Sequence, residues 1–474
     1  MDSHEHDQPD DLTPREYPLD LRVVRERLAA KSGKPYWRSL EELAEDPHFE
    51  DLLHREFPRQ AAEWENAVER RDFLKLMAAS LALAGLTGCG RQPEETIVPY
   101  VKQPAGLTLG KPLYFSTAMP LGGDAIGLLV ESHEGRPTKV EGNPDHPGSL
   151  GGTDVFAQAS ILGLYDPDRA QSVSYLGEPS TWPAFMEVAR ATAAAAKANK
   201  GEGFRVLTGS VHSPTLGAQI KALLAGLPLA KWHQWEPAGS DGVREGGLLA
   251  FGRYVNTVYR IEKADVILSL DADFLASGPG HVRYAREFSR RRRFNGESPN
   301  LNRLYVVEPT PSVTGSAADH RLPLRTSEIE AFARALAARL GLGGSASLGE
   351  ETAKWIHAAA ADLQKHRGAS LVIAGEQQPA AVHALAHAIN AALGNVGQTV
   401  HYTDPIETEP VNQLESLRDL VADMDAGKVD TLLILGGNPA YDAPHDFAFT
   451  ERMKKVRFVA RLDSYFDKTS DYSH

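Results

Sequence analysis

The apolar residues of this chain fall into short unbroken runs separated by longer segments with helical spacing. Phe204-Arg205-Val206-Leu207-Thr208, Ala264-Asp265-Val266-Ile267-Leu268-Ser269-Leu270, Leu371-Val372-Ile373-Ala374 in a strand over 370–374, and Leu432-Leu433-Ile434-Leu435 in a strand over 430–435 have the length and composition of buried strands. Each ends in turn formers: Gly209-Ser210, Asp271-Ala272-Asp273, Gly375-Glu376-Gln377-Gln378-Pro379 and Gly436-Gly437-Asn438-Pro439. Between and around them the spacing predicts helices over 214–226, 327–340 (capped by Ser327), 350–366 and 378–393, and one opened by Thr181 that runs through the alanine-rich 190s. Strands separated by helices of this length make parallel, doubly wound α/β sheets. At Gly436-Gly437-Asn438 the pattern leaves backbone amides bare at a strand end, where open α/β sheets bind ligands.

Before residue 180 the pattern is different. Residues 1–69 read as an extended lead, of which 1–34 are rich in charge and proline, with their first half expected to be disordered. Ser39 then caps a short helix, and Phe49, Leu52, Leu53 and Phe57 recur at helical spacing. Residues 70–89 pair Arg70-Arg71 with Phe73 and a short apolar stretch that ends at Leu86-Thr87-Gly88-Cys89. That layout is a twin-arginine export signal, with Cys89 in the place of a lipid-attachment cysteine. The other reading is a plain buried helix ending at Gly88. Four prolines mark 90–112 as a linker. Residues 113–180 form a small β-rich lobe, in which alternation on both sides of Glu134-Gly135 predicts a hairpin. Residues 181–474 are the α/β region, and a final strand at 457–463 so near the last residue predicts half of a larger fold.

Composition narrows the chemistry. With 474 residues, 42% of them apolar, the chain is long enough for two or three lobes. A net charge of −13 opposes nucleic-acid binding. Arg290-Arg291-Arg292-Arg293 is the one basic run, read as a solvated helix end or a contact to a partner protein. Cys89 is the single cysteine, so an internal disulfide, a cysteine-ligated iron–sulfur cluster and a thiolate zinc site are excluded within the chain. No segment reaches the roughly 20 apolar residues of a membrane-spanning helix. His133, His146, His383 and His387 invite a metal assignment; His383 and His387 are expected to be a helix-surface pair, and no acidic third ligand is evident. Asp166 and Arg169 are expected to clamp a turn as an ion pair. The absence of a Gly-x-Ser-x-Gly elbow and of a Walker loop ranks a hydrolase or transferase last.

Several segments, taken in order, resemble the molybdopterin oxidoreductase family over residues 113–474. They are Lys139-Val140-Glu141-Gly142-Asn143-Pro144-Asp145-His146-Pro147, Leu164-Tyr165-Asp166-Pro167-Asp168-Arg169, Ser180-Thr181-Trp182, Ala264-Asp265-Val266-Ile267-Leu268, Val306-Val307-Glu308-Pro309, Gly394-Asn395-Val396-Gly397 and Gly436-Gly437-Asn438-Pro439. The resemblance implies α/β, molybdopterin oxidoreductase-like doubly wound parallel sheets. It also implies a pocket whose turns are Gly375, Gly394, Gly397, Gly436, Gly437 and Asn438, a vestigial one, since the departures are large. The family's cysteine-ligated cluster has no cysteine here, and Ser240 or Asp241 is the only stand-in for its metal-anchoring residue.

The long lead and the segments 374–387 and 462–470 further resemble the molybdopterin-like half of the B subunits of alternative complex III, a bacterial quinol oxidase-type assembly. That resemblance implies no catalytic residue, metal or cofactor in this chain. Iron–sulfur clusters and haem would lie in its partners: the iron–sulfur half of the B subunit, a multihaem cytochrome c, and integral membrane quinol-binding subunits. It implies a place on the periplasmic side of the cytoplasmic membrane, reached by twin-arginine export. The alternative is a catalytic molybdopterin subunit of the polysulfide or dimethyl sulfoxide reductase type, with a ligand from Ser240 or Asp241.

Overall fold

The computed structural model describes residues 110–121, 124–293, 301–344 and 348–474, together with Gly106 and Thr108. The export segment with Arg70, Arg71 and Phe73, Cys89, the lead 1–69 and most of the linker lie outside the described residues.

Strands β1 (Leu113–Leu121), β2 (Asp124–His133) and β3 (Arg136–Gly142) form an antiparallel meander. Glu134 and Gly135 both take positive φ, 54° and 84°, which matches a tight hairpin turn to the twist of its strands. The ribbon of β4 (Val173–Tyr175) and β5 (Glu178–Ser180) follows. Ile126, Leu128, Val140 and Ala157 make a small core here, to which Val282 of the α/β region adds its side chain.

The α/β region holds two four-stranded parallel sheets. The first contains β6 (Phe204–Thr208), β7 (Lys231–Gln234), β14 (Thr431–Leu435) and β15 (Phe458–Leu462), in the order β15-β14-β6-β7. The second contains β9 (Val266–Leu270), β10 (Arg303–Glu308), β11 (His320–Pro323) and β12 (Ser370–Ala374), in the order β11-β10-β9-β12. An antiparallel ribbon of β8 (Asn256–Tyr259) and β13 (Val400–Thr403) stands apart from both. The longer helices are α1 (Trp182–Ala198), α2 (Pro214–Gly226), α3 (Asp241–Phe251), α4 (His281–Arg291), α5 (Thr326–Arg339), α6 (Glu350–Lys365), α7 (Ala380–Ala392) and α8 (Gln413–Asp425). Thr181 caps α1 as expected, its hydroxyl accepting from Ala184 N. The helix expected to start at Ser327 starts instead at Thr326, with Arg325 in the cap position.

Burial on both faces explains why these strands read as continuous apolar runs. Along β9, Val266, Leu268 and Leu270 enter a core with Ile329, Phe332 and Leu336 of α5, Leu363 of α6 and Ile389 of α7. The alternate residue Ile267 enters a second core with Leu304, Val306, Leu371 and Ile373 and with Tyr284 and Phe288 of α4. The period of two thus divides one strand between two helical layers. Each such side chain stabilises the fold by roughly 1.5–3 kcal/mol. In the other sheet Leu207, Leu432, Ile434 and Val459 pack on Leu417, Leu420 and Met424 of α8.

Candidate functional site

In each sheet the chain reverses its direction of winding once: between β9 and β12, and between β6 and β14. A crevice at the carboxyl ends of two such strands is where doubly wound sheets hold ligands. The residues that follow these four strands are therefore the candidate site.

At the β9/β12 reversal the crevice is closed by the backbone itself. A Cβ at Gly375 would lie 2.0 Å from the Asp271 carbonyl oxygen, so only glycine fits. Gly375 N donates to Leu270 O at 2.9 Å, Gln377 Nε2 to Asp271 O at 2.6 Å, and Gln378 Nε2 to Asp271 Oδ2 at 2.9 Å. Asp271 itself has φ 57°, a left-handed conformation that a non-glycine residue holds only where its surroundings impose it. Burial pushes its carboxyl pKa up, against the two glutamines.

At the β6/β14 reversal the closure is made by side chains. Ser210 N donates to Glu236 Oε1 at 3.0 Å, and Ser210 Oγ accepts from Gln413 Nε2 at 2.6 Å. The amides of the Gly436-Gly437-Asn438 turn, expected to be bare, are partly taken up: Gly436 N donates to Leu462 O at 2.9 Å. The Gly437 carbonyl accepts from Arg461 Nη2 at 2.6 Å, and Asn438 Oδ1 accepts from the Thr469 amide at 3.1 Å and its hydroxyl at 2.7 Å. Arg461 also pairs with Asp463 and Asp467, so the last described residues fold back over this turn.

Helix α3 links the two reversals. A Cβ at Gly242 would lie 2.2 Å from Gln378 O, and one at Gly246 would lie 2.3 Å from His383 Cβ, so two glycines one turn apart let α3 press against α7 and the loop before it. On the same helix Arg244 forms a two-bond fork to Glu407, at 2.9 and 2.6 Å, and reaches Asp241 Oδ1 at 3.1 Å. Burial works against the Arg244 charge, and Glu407 and Asp241 outweigh it, so its pKa is raised. Glu376, an exposed residue near this cluster, has its pKa raised by desolvation while Arg244 opposes the rise.

The residue that would have to anchor a metal is committed elsewhere. Asp241, the stand-in named from the sequence, sits in the first turn of α3. Its Oδ1 accepts from Gln413 N at 2.9 Å and its Oδ2 from Leu414 N at 3.1 Å. The carboxylate thus supplies the anion that the N-terminus of α8 attracts, and Arg244 balances its charge. Ser240 is the residue before α3, and its side chain makes no capping bond. The donor set does not fit a molybdenum–pterin group. Asp241 has spent both oxygens on amides and a guanidinium, and the Gly375 turn is filled by the Asp271 carbonyl.

The other expected site residues do not converge. Gly394 and Gly397 lie at the opposite, amino end of the second sheet: Gly368 N donates to Leu393 O, Asn395 Oδ1 accepts from Ser370 Oγ at 3.1 Å, and Ser370 begins β12. They cannot join Gly375, Gly436, Gly437 and Asn438 around one ligand. His383 and His387 are buried rather than on the helix surface, at 5% and 8% exposure, because α7 is covered by α3 and by the β8/β13 ribbon. His387 Nδ1 meets Tyr402 Oη at 3.0 Å. Burial pushes both rings down to about 4, so they are neutral at pH 7. His133 pairs with Glu131 at 2.8 Å, and the His146 ring lies against Gly127. The Asp166–Arg169 turn is clamped differently than expected: Asp166 accepts from Asp168 N and Tyr465 Oη, while Arg169 donates to Gly163 O. Two arginines of the basic run are committed within the chain, Arg291 to Asp265 and Arg292 to Asp319.

The pairing of Arg244 with Glu407 escaped the sequence reading, because 163 residues separate the partners and only the fold brings them together. A lone Arg three residues after Asp241 was its one local signal.

No protein-family model matches the sequence. The chain is 24% identical over 407 residues to the menaquinone reductase molybdopterin-binding-like subunit of Nitratidesulfovibrio vulgaris, a match that covers 75% of this chain and 57% of that protein. The chain therefore spans little more than half the length of that relative. Its fold is similar to acetylene hydratase from Pelobacter acetylenicus, with a TM-score of 0.52 and 13% identity, over 74% of this chain and 60% of the other. Taken together, the order of its motifs, its two doubly wound parallel sheets and these two likenesses identify the chain as a molybdopterin oxidoreductase-like protein.

Proposed function

We propose that this chain is a cofactor-free, non-catalytic scaffold subunit of a membrane-bound quinol:acceptor oxidoreductase, of the alternative complex III kind. The observation that carries the reading is the commitment of Asp241 to the α8 amides and Arg244, in the one place where a metal-anchoring side chain was sought. A carboxylate held in this way lacks a free oxygen for a metal, and releasing it would strip α8 of its N-terminal anion. The relative's name links this kind of subunit to menaquinone.

In this reading the partners contact the small lobe. Tyr114, Phe115, Phe156 and Leu162 are each more than half exposed there. Apolar surface of that kind marks a protein–protein contact. The iron–sulfur half of the B subunit is the proposed occupant, with haem and quinol sites in further subunits. Export through Arg70-Arg71 and anchoring at Cys89 would place the assembly on the periplasmic face of the membrane.

Isolation of the tagged chain from native membranes tests the proposal. The chain should co-purify with iron–sulfur and haem subunits and with menaquinol oxidation, and Ser240→Ala should leave turnover unchanged. An intact complex that loses turnover on that substitution would favour the alternative, a catalytic molybdopterin subunit.

A further inference from the structure

The edge strand β7 faces α8 through a group that the closed seam does not use. His233, 3% exposed, lies on β7, and Asp419 and Asp423 lie one turn apart on α8. One ring nitrogen of His233 and one oxygen from each carboxylate lie within 4.8 Å of one another. The His233 Nδ1 is 2.9 Å from the Ser416 carbonyl oxygen, which can only accept, so Nδ1 carries the hydrogen and Nε2 keeps its lone pair. Nε2 is buried and has no hydrogen-bond partner. A histidine held by a backbone carbonyl through one nitrogen and open at the other is the usual arrangement of a metal ligand.

We propose that His233, Asp419 and Asp423 bind a divalent transition metal of the zinc class. One imidazole and two carboxylates form a zinc-type donor set, with water completing the tetrahedron. The site already holds a cation of another sort. Lys231 Nζ lies 3.0 Å from Asp419 Oδ2 and 2.8 Å from Asp423 Oδ2. The Lys231 side chain is 43% exposed on a flexible stem and can move into solvent when the ion enters. Arg205 donates to Asp423 Oδ2 at 3.0 and 2.8 Å and holds that carboxylate in place, leaving its second oxygen for the metal. Bound metal would tie an edge strand to the helix that packs on it, a structural role independent of the proposed scaffold function.

The competition with Lys231 makes the test selective. Zinc alone is titrated calorimetrically into the metal-stripped full chain and three variants. The expected result is one Zn²⁺ per chain, bound at least tenfold more weakly in His233→Ala and in Asp419→Asn, and more tightly in Lys231→Met. Asp419 is exposed, so Asp419→Asn keeps the test open if the His233 variant fails to fold. No zinc binding by the parent chain, or binding that Asp419→Asn and Lys231→Met leave unchanged, would overturn the proposal; the latter would place the ion on other histidines.

Discussion

The β-rich lobe of residues 113–180 and the α/β region that follows dispose of their side chains in opposite ways. The α/β region takes charges inside and answers each one: Arg205 with Asp423, Arg244 with Glu407, Arg321 with Glu308, Arg283 with Glu287. The lobe turns large apolar groups outward, with Tyr114 and Phe115 on β1 and Phe156 and Leu162 nearby. Its own core amounts to four buried residues. A buried charge is tolerable only with its partner, so the α/β region is completed by its own residues. An apolar strand face in water is costly, which is why the proposed function gives the lobe a partner surface. In the proposed reading the α/β region holds a former pocket and the lobe a contact face.

The sharpest way to break this contrast is to unpair the seam. Arg244→Met leaves Glu407, its side chain 18% exposed, without its fork and should cost up to about 3 kcal/mol, read as a lower urea midpoint. A loss under about 0.5 kcal/mol, the size of an ordinary surface substitution, would mean that the seam is open to solvent.

Acid should act on the α/β region next. His383 and His387 have pKa values lowered to about 4 in the fold, from the ordinary 6.5. The unfolded chain therefore binds more protons below pH 6.5, so their contribution is fully present above that value and is lost as pH falls from 6.5 to about 4. The loss should be of order 2–3 kcal/mol for each ring. Glu287, raised to about 7 by burial and Glu262, slopes the other way: its contribution is present below about 4.5 and is lost as pH rises through 7. The histidine effect is accordingly read from the difference between the parent and His387→Gln, whose stability curve should be flatter between pH 6.5 and 4.

Smaller effects sharpen the comparison. Gly375→Ala forces a methyl against the Asp271 carbonyl and should destabilise by roughly 1–3 kcal/mol, as overpacking does. Replacing Tyr114 and Phe115 with serine should change the unfolding free energy, measured in urea, by no more than about 0.5 kcal/mol per residue. The same pair should weaken co-purification with the iron–sulfur partner. Intact co-purification would locate the contact face elsewhere.

The sequence carried the architecture because buried parallel strands announce themselves as apolar runs that end in turn formers. Val266–Leu270, Ser370–Ala374 and Thr431–Leu435 stand within two residues of their expected bounds. The site was less legible, for a physical reason. Glycine turns were visible at Gly375, Gly394 and Gly436, yet which end of a sheet each occupies depends on topology, and Gly394 falls at the wrong end. A four-residue spacing placed His383 and His387 on one face of α7 but could not say that α3, through Gly242 and Gly246, would cover it. Asp241 looked like a free loop carboxylate because the amides it holds, Gln413 N and Leu414 N, come from residues 172 and 173 positions away. His233 drew no notice, since its acidic neighbours are on α8.

The central claim, that the protein's own backbone and side chains close the pocket against a molybdenum–pterin group, is tested most directly by elemental and pterin analysis of the full chain purified from its native cells. The account predicts molybdenum and tungsten far below one atom per chain and no fluorescent pterin after oxidative release. Either metal near one per chain, together with stoichiometric pterin, would contradict it.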